Sequence, residues 1–372
     1  MASPLHIALI GHRFMGRAHN HALQQSALLS ETGLCPVKRT LCGVEDDLAE
    51  TAGQWGWERW THDWHAAVAD PEVDLVDIAT PGNTHAEIAV AAARAGKHVL
   101  CEKPMALNAG DAAAMLEAAS DAGVTHCVNF NYRRLPAVAL AQQLIRAGEI
   151  GTIYYFRATY WQDWPLAPDS PWVWRMDRGV AGAGSMADKG SHLVDLARFL
   201  AGEFAEVAAT SEIFVRERPS AAGPRPVTTD DAAAFLARFR NGAIGLFGTS
   251  RMSAGHKNSL GFEINGSKGS IVFDLERLNE LQLYSASDPS VAQGFRTILA
   301  TQPEHPYMKS WWPPGHAIGW EHTFVHQYYD IFTAIAGGGS MSPSFADGLR
   351  AQQVLDAVES AAREKRWVEV PT

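Results

Sequence analysis

Across residues 5–129, short apolar runs alternate with longer stretches of helical period, and this alternation constrains the fold more than any other feature of the chain. Residues 5–10, 40–44, 75–79, 99–101 and 125–129 read as strands. The segment opening GHRFMGRAHNHAL and residues 84–95 and 108–122 read as helices, the last two stopped by Gly96 and Gly123. Short apolar strands separated by helices predict a parallel, doubly wound sheet, because crossover helices cover both of its faces.

After about residue 131 the texture changes. One helix (136–147) leads into alternating segments at 153–160, 207–215, 233–239, 244–249, 260–264, 270–273 and 281–284. Helices at 321–336 and 345–363 close the chain, and the proline-rich stretch 217–226 reads as a long connection within a domain. The expectation is an α/β domain over 1–131 followed by an α+β domain over 132–372.

Composition narrows the partners. A net charge of −10, from 31 basic and 41 acidic residues, disfavours nucleic acid. No apolar run approaches the ~20 residues that span a bilayer, so no membrane partner is expected. Residues 1–9 lack a basic leader and read as a first strand rather than a signal peptide. Cys35, Cys42, Cys101 and Cys127 lie far apart with no paired spacing, which suits a reducing cytoplasm and gives no metal site.

Chemistry-bearing residues fall at the predicted strand ends. Gly11-His12-Arg13-Phe14-Met15-Gly16 lies where the first strand turns into the first helix. Glycine there lets backbone amides approach a pyrophosphate, although Arg13 replaces the usual middle glycine and a plain strand-to-helix turn is the alternative. Glu45-Asp46-Asp47 ends the second strand; Glu45 can bind an adenosine ribose, and no Arg or Lys follows immediately to pair with a 2′-phosphate. This favours NAD over NADP, with helix capping as the alternative role for the acids. Glu102-Lys103-Pro104 ends a later strand and places a cation where a ligand crevice is expected; a structural Glu102–Lys103 pair is the bland reading. Downstream, Asp188 and His192 are four residues apart, so a helical turn would put them on one face. A base, its carboxylate and a nearby ammonium suit alcohol oxidation: hydride leaves carbon as the base takes the hydroxyl proton. A capping aspartate beside an incidental histidine is the alternative.

Taken together, the glycine loop, ATPGNTHAEIAVAAARAGKHVLCEKPMAL, NFNYRRLPA, WVWR and GAGSMADKGSHLVDLARFL resemble the Gfo/Idh/MocA oxidoreductase family along essentially the whole chain. FNYRRLPAVALA, QDW, RFRNGAIG and SPSFADG are most similar to its levoglucosan dehydrogenase-like branch. The resemblance implies an N-terminal Rossmann domain and a C-terminal domain with an open, largely antiparallel sheet; the apolar face of such a sheet needs cover, so a homo-oligomer through that domain is expected. It implies NAD(P)-linked oxidation of a sugar hydroxyl, often at carbon 3 of a pyranose. The family's catalytic lysine, aspartate and histidine map onto Lys103, Asp188 and His192. Gly11, Phe14, Met15, Gly16, Glu45, Thr80, Pro81, Asn83, His85, Glu102, Lys103, Asn131 and Arg175 are then expected at the cofactor. Tyr132, Gln162, Asp163, His192, His305 and Trp320 are expected at the substrate, where Trp161, Trp164, Trp172 or Trp174 could also stack.

This chain departs from the family pattern at Gly82, at Lys189 and at His12-Arg13. With His256-Lys257, these put basic side chains in segments that could reach the crevice, either as surface charge or as recognition of an anionic sugar by Arg13 and Lys189. An anionic substrate would suit the redox-neutral glycosidases of this scaffold, such as NAD-dependent sulfoquinovosidases. These oxidise carbon 3, eliminate the aglycone, add water and return the hydride. Net dehydrogenation of such a sugar is an equal expectation, and a simple levoglucosan-like 3-dehydrogenase of a neutral sugar is the alternative. A non-catalytic regulator would lack the Lys-Asp-His set, and His322 with His326 offers a metal no evident third ligand.

Overall fold

Ser3–Ile10 (β1) is the first of six parallel strands, and its last four residues are fully buried. It leads into α1 (Phe14–Ser26), and the alternation continues through β2 (Leu34–Cys42), α2 (Leu48–Trp55), β3 (Arg59–Thr61), α3 (Trp64–Ala69) and β4 (Leu75–Ile78). α4 (His85–Arg94), β5 (His98–Cys101), α5 (Ala109–Asp121) and β6 (His126–Val128) complete it. The strands pair in the order β3-β2-β1-β4-β5-β6, all parallel. Strand order reverses between β1 and β4, which opens a crevice outside their carboxyl ends.

β2 starts at Leu34 rather than 40 and stops at Cys42 rather than 44. Its first half is disguised by polar residues that find partners in the fold: Lys38 Nζ donates to the Trp55 carbonyl at 2.7 Å, and Arg39 pairs with Glu58 at 2.8 Å.

The computed structural model describes residues 3–26 and 32–371. After β6 come α6 (Pro136–Arg146), β7 (Ile153–Trp161), α7 (Arg178–Ala181), α8 (Ser191–Ala201) and β8 (Phe204–Glu212). β9 (Glu217–Arg218) and β10 (Arg225–Pro226) form a small antiparallel ribbon within the stretch read as a connection. Buried Arg218 anchors it by donating to the Ala167 and Pro165 carbonyls at 2.7 and 2.5 Å. β11 (Ala232–Phe239), β12 (Ile244–Ser250), β13 (Ser259–Gly266), β14 (Gly269–Asp274), β15 (Glu280–Ser285) and β16 (Arg296–Leu299) precede α9 (His322–Gly337), α10 (Phe345–Glu364) and β17 (Val368–Glu369).

The second sheet has nine strands in the order β16-β15-β14-β13-β7-β12-β11-β8-β17. β7 and β12 run parallel; the other neighbours run antiparallel. Along β11 burial alternates strictly, with Phe235, Ala237 and Phe239 on the covered face and Leu236 on the open one. The covered face carries a run of stacked rings: Phe235 on Phe247, Phe247 on Phe156, Phe156 on Phe262, and Phe262 on Phe273. Each buried ring contributes about 2 kcal/mol of transfer free energy, so this face holds the unit's core.

Two compact units result: Met1–Asn131 with Trp320–Gln352, and Tyr132–Gly319 with Gln353–Thr372. Residues 320–352 thus join the first unit rather than the run 132–372 expected from continuity, because α9 packs along α1 through Phe324 and Tyr328. Among the described residues no helix is long and apolar enough to cross a membrane.

Candidate active site

The glycine loop is shaped by close backbone approach. Gly11 has φ +104°, and a Cβ there would lie 2.5 Å from the Ala79 carbonyl oxygen; a Cβ on Gly16 would lie 1.9 Å from that of Gly11. No other residue fits either position. α1 carries no carboxylate in its first turn, so its N-terminus presents uncompensated N–H groups. Glycines at the tight approaches, a helix N-terminus free of acids and a carboxylate at the end of β2 together fit the pyrophosphate and ribose of NAD. Exposed Phe14 and half-buried Met15 open the helix, and the Phe14 ring stacks on Trp320 with centroids 5.9 Å apart. Trp320, expected at the substrate, therefore stands beside the glycine loop within the first unit.

At the end of β2, Glu45 accepts from Arg13 Nε at 2.9 Å, and Asp47 accepts from Arg13 Nη1 at 3.0 Å. Beneath them the buried His12 ring places Nε2 3.0 Å from Asp47 and Nδ1 3.3 Å from Glu45. The His12 hydrogen bond, followed by Arg13, holds the Asp47 carboxyl below its ordinary range. Asp47 begins α2 without a side-chain capping bond, so capping does not explain it. His12 and Arg13, whose charge suggested an anionic substrate, are matched here by the acids that follow β2.

After β4, the Thr84 hydroxyl donates to Thr80 Oγ1 and to the Pro81 carbonyl, leaving Asn83 exposed at the tip of a short 3₁₀ turn. His85 is buried, with Nε2 2.9 Å from the Thr80 carbonyl and Nδ1 3.0 Å from that of Pro104. Burial pushes its pKa down, and its ring ties the β4 tip to the β5 tip rather than opening toward a ligand.

Glu102 follows β5 and is buried, as Asn131 is; Asn131 Nδ2 donates to Thr323 Oγ1 at 2.7 Å. Lys103 is half-buried, its N–H donates to Glu102 Oε2 at 3.1 Å, and its peptide bond to Pro104 is cis. Behind this tip lies a polar network that sequence reasoning did not find: His19 bridges Asp77 and Glu102, with Tyr328 and Asn129 at its ends. His19, Leu23 and Ser26 share the buried face of α1, so the signal was a histidine on an otherwise buried helix face, which more often marks a packed core residue.

In the second unit, the segment carrying Asp188 is held by a carboxylate absent from the sequence reading. Asp230 accepts from the N–H groups of Gly184 (2.7 Å) and Met186 (2.9 Å). Met186–Gly190 form a π-helical turn leading directly into α8. Asp188 belongs to this wider turn and His192 to the first turn of α8, so their separation of four is not one regular α-helical turn. Such turns occur frequently at functional sites. Lys189, also within it, is buried with Nζ 3.2 Å from Asp188 Oδ2.

Buried His192 lies against Tyr132, with ring centroids 4.5 Å apart. The Tyr132 and Tyr160 hydroxyls are 3.0 Å apart. Asn258 Oδ1 accepts from Tyr160 at 2.6 Å and from Gln162 Nε2 at 2.7 Å. Tyr160 thus joins Tyr132 beside the histidine, and Asn258 ties them to Gln162, although the sequence singles out neither Tyr160 nor Asn258. Burial, followed by Tyr132, pushes the Tyr160 phenol well above its ordinary range. Asp163 instead accepts both from Lys257 (2.9 Å) and from the Gly255 N–H (3.0 Å), and these bonds lower its pKa.

The Arg175 guanidinium lies over the Trp174 ring, 4.4 Å from its centroid, and the Trp172 ring packs under Arg225 in the same way at 3.4 Å. His305 accepts the Gln302 N–H at 3.0 Å, and burial lowers its pKa. Among the described residues no group of three or more His, Cys, Asp or Glu side chains could hold a metal ion.

Comparison with known proteins agrees with this layout. Residues 5–130 match the oxidoreductase family model with an NAD-binding Rossmann fold, and residues 138–272 match the Gfo/Idh/MocA C-terminal domain. Levoglucosan dehydrogenase of Pseudarthrobacter phenanthrenivorans is 43% identical over 99% of this chain and 98% of its own. An oxidoreductase domain protein from Kribbella flavida is 48% identical, with a TM-score of 0.97 and full coverage of both chains. The structure of a levoglucosan dehydrogenase in complex with NADH and levoglucosan is 43% identical, with a TM-score of 0.95 and the same coverage. The chain belongs to the Gfo/Idh/MocA family and is an NAD-dependent sugar oxidoreductase.

Proposed function

We propose that the protein is a net dehydrogenase of a neutral pyranose or anhydro-pyranose, of the levoglucosan type, acting at carbon 3. One observation carries the choice of a neutral substrate. The arginine and the two lysines that suggested an anion site each face a carboxylate: Arg13 faces Glu45 and Asp47, Lys257 faces Asp163, and Lys189 faces Asp188. Full-length similarity to levoglucosan dehydrogenase points the same way. The redox-neutral glycosidase route on a sulfonated or carboxylated sugar has no comparable observation in its favour.

The roles are those that the family resemblance implies, and the chemistry of the side chains suits them. NAD, when bound, supplies the hydride acceptor. His192 takes the hydroxyl proton, Asp188 orients it, and Lys103 polarises the reacting oxygen. Tyr132 and Gln162 bind sugar hydroxyls. The four cysteines, none in a disulfide among the described residues, suit the cytoplasm.

The test is a panel assay with NAD. NADH accumulation on levoglucosan or another neutral sugar is expected. NAD-dependent release of p-nitrophenol from a neutral or sulfonated p-nitrophenyl glycoside, without NADH accumulation, would overturn the proposal in favour of the glycosidase.

A further inference from the structure

Within the first unit the strand tip bearing Lys103 rests on a buried ionic triad. His19 Nδ1 lies 2.9 Å from both oxygens of Asp77, and Nε2 lies 2.9 Å from Glu102 Oε1. All three side chains are almost wholly out of water. A neutral imidazole carries one N–H, so one ring nitrogen would turn a lone pair toward a carboxylate in a site with no solvent to relieve it. A doubly protonated ring satisfies both contacts and neutralises one of two negative charges that could not otherwise both persist there.

We infer that His19 is a positioning residue for the reaction: its imidazolium, clamped between Asp77 and Glu102, keeps Glu102 a carboxylate, and Glu102 fixes the Lys103 tip. This rests on the reading of Lys103 given above. Asn129 Nδ2, 3.1 Å from His19 Nε2, is the one contact that a neutral ring would accept, and the remaining bonds of the network support the charged form. Asp77 also accepts from the Tyr328 hydroxyl; Glu102 Oε1 accepts from Asn129 Nδ2 at 2.5 Å, and Glu102 Oε2 accepts the Lys103 N–H at 3.1 Å. Burial opposes a charge on His19, but Asp77 and then Glu102 outweigh it and lift its pKa to about 10. Burial likewise disfavours the Glu102 carboxylate, and the bond and charge of His19, then Lys103 and Asn129, bring its pKa below the ordinary value.

Apart from Lys103, the groups shifted beside this network, Tyr328, Cys101 and His85, are held in their neutral forms. Burial raises Tyr328 and Cys101 and lowers His85. From α9, the side chains facing His19 are the rings of Phe324 and Tyr328. Protonation of Glu102 is therefore governed chiefly by His19 and Lys103.

His19→Gln, Glu102→Gln and Asp77→Asn in the full chain test the inference by infrared spectroscopy and kinetics. At neutral pH, H19Q is expected to gain a buried carboxylic-acid stretch that wild type lacks and that H19Q/E102Q loses. Its kcat is expected to fall about 10- to 100-fold, the usual effect of removing a supporting hydrogen-bond partner, while the KM for NAD stays within about threefold. Its pH–rate profile is expected to gain an ionisation near neutrality. A lower melting temperature with unchanged kcat and pH profile overturns the inference, as does a new band removed by D77N rather than by E102Q. Should H19Q not fold, E102Q decides alone: an unchanged kcat contradicts the inference and a comparable fall supports it. If wild type oxidises no sugar with NAD, the functional reading fails, and the infrared measurement still decides whether His19 controls Glu102.

Discussion

Asp230 accepts the Met186 N–H through Oδ2 at 2.9 Å while its other oxygen accepts the Gly184 N–H at 2.7 Å. A single side chain thus grips the entry to the turn that carries Asp188. Gly184 makes the grip possible, since a Cβ there would lie 1.9 Å from the Asp230 carbonyl oxygen. Asp230→Asn keeps the shape but turns an amide NH₂ toward one N–H. We expect it to cost about 1–2 kcal/mol in urea unfolding and to lower kcat more than it raises the KM for NAD. Unchanged stability would remove Asp230 from the account.

The charge on His19 makes alkaline stability a second test. Its folded-state pKa of about 10 stands above the ordinary 6.5, so the triad contributes fully below 6.5 and loses its contribution as pH rises through about 10. The melting temperature should fall across that window, and less steeply in H19Q. A wild-type curve flat through it would contradict a protonated His19.

We expect cofactor choice to be set at the end of β2. In E45A/D47N, Arg13 loses both carboxylate partners, and we expect it to pair with a 2′-phosphate instead. Titration of tryptophan fluorescence should show NADH binding weakened about tenfold and NADPH binding tightened about tenfold, ~1.4 kcal/mol each way. Adding R13A should erase the NADPH gain; if it persists, Arg13 is not its source.

Leu236 and Leu246 sit directly opposite each other on β11 and β12, facing the open side of the second sheet, with exposed Ile244 nearby. We expect a second copy to cover this face, giving a homo-oligomer in sedimentation velocity that Leu246→Arg dissociates. A wild-type monomer at all concentrations would contradict this.

Much of the fold was legible because local pattern and chemistry coincide. Strand-helix alternation anticipates the parallel sheet, Gly11 and Gly16 mark the turn, and EKP marks the β5 tip. Other features depend on distant partners. Asp77 and Tyr328 meet across 251 residues, and Gly184 meets Asp230 across 46. No local window contains such pairs. The start of β2 hid behind Lys38 and Arg39, whose polarity reads as loop until Trp55 and Glu58 appear beside them. At Asp188 and His192 the four-residue spacing runs from a π turn into α8, a local geometry that the sequence period does not reveal.

The most direct test follows the hydride itself, using levoglucosan deuterated at carbon 3 with wild-type enzyme and NAD and recording the mass of the reduced cofactor. The account predicts NADH carrying one deuterium per sugar oxidised, a slower rate than with the unlabelled sugar, and loss of the reaction in K103A and H192A. Unlabelled NADH, or turnover undiminished in both variants, would contradict it.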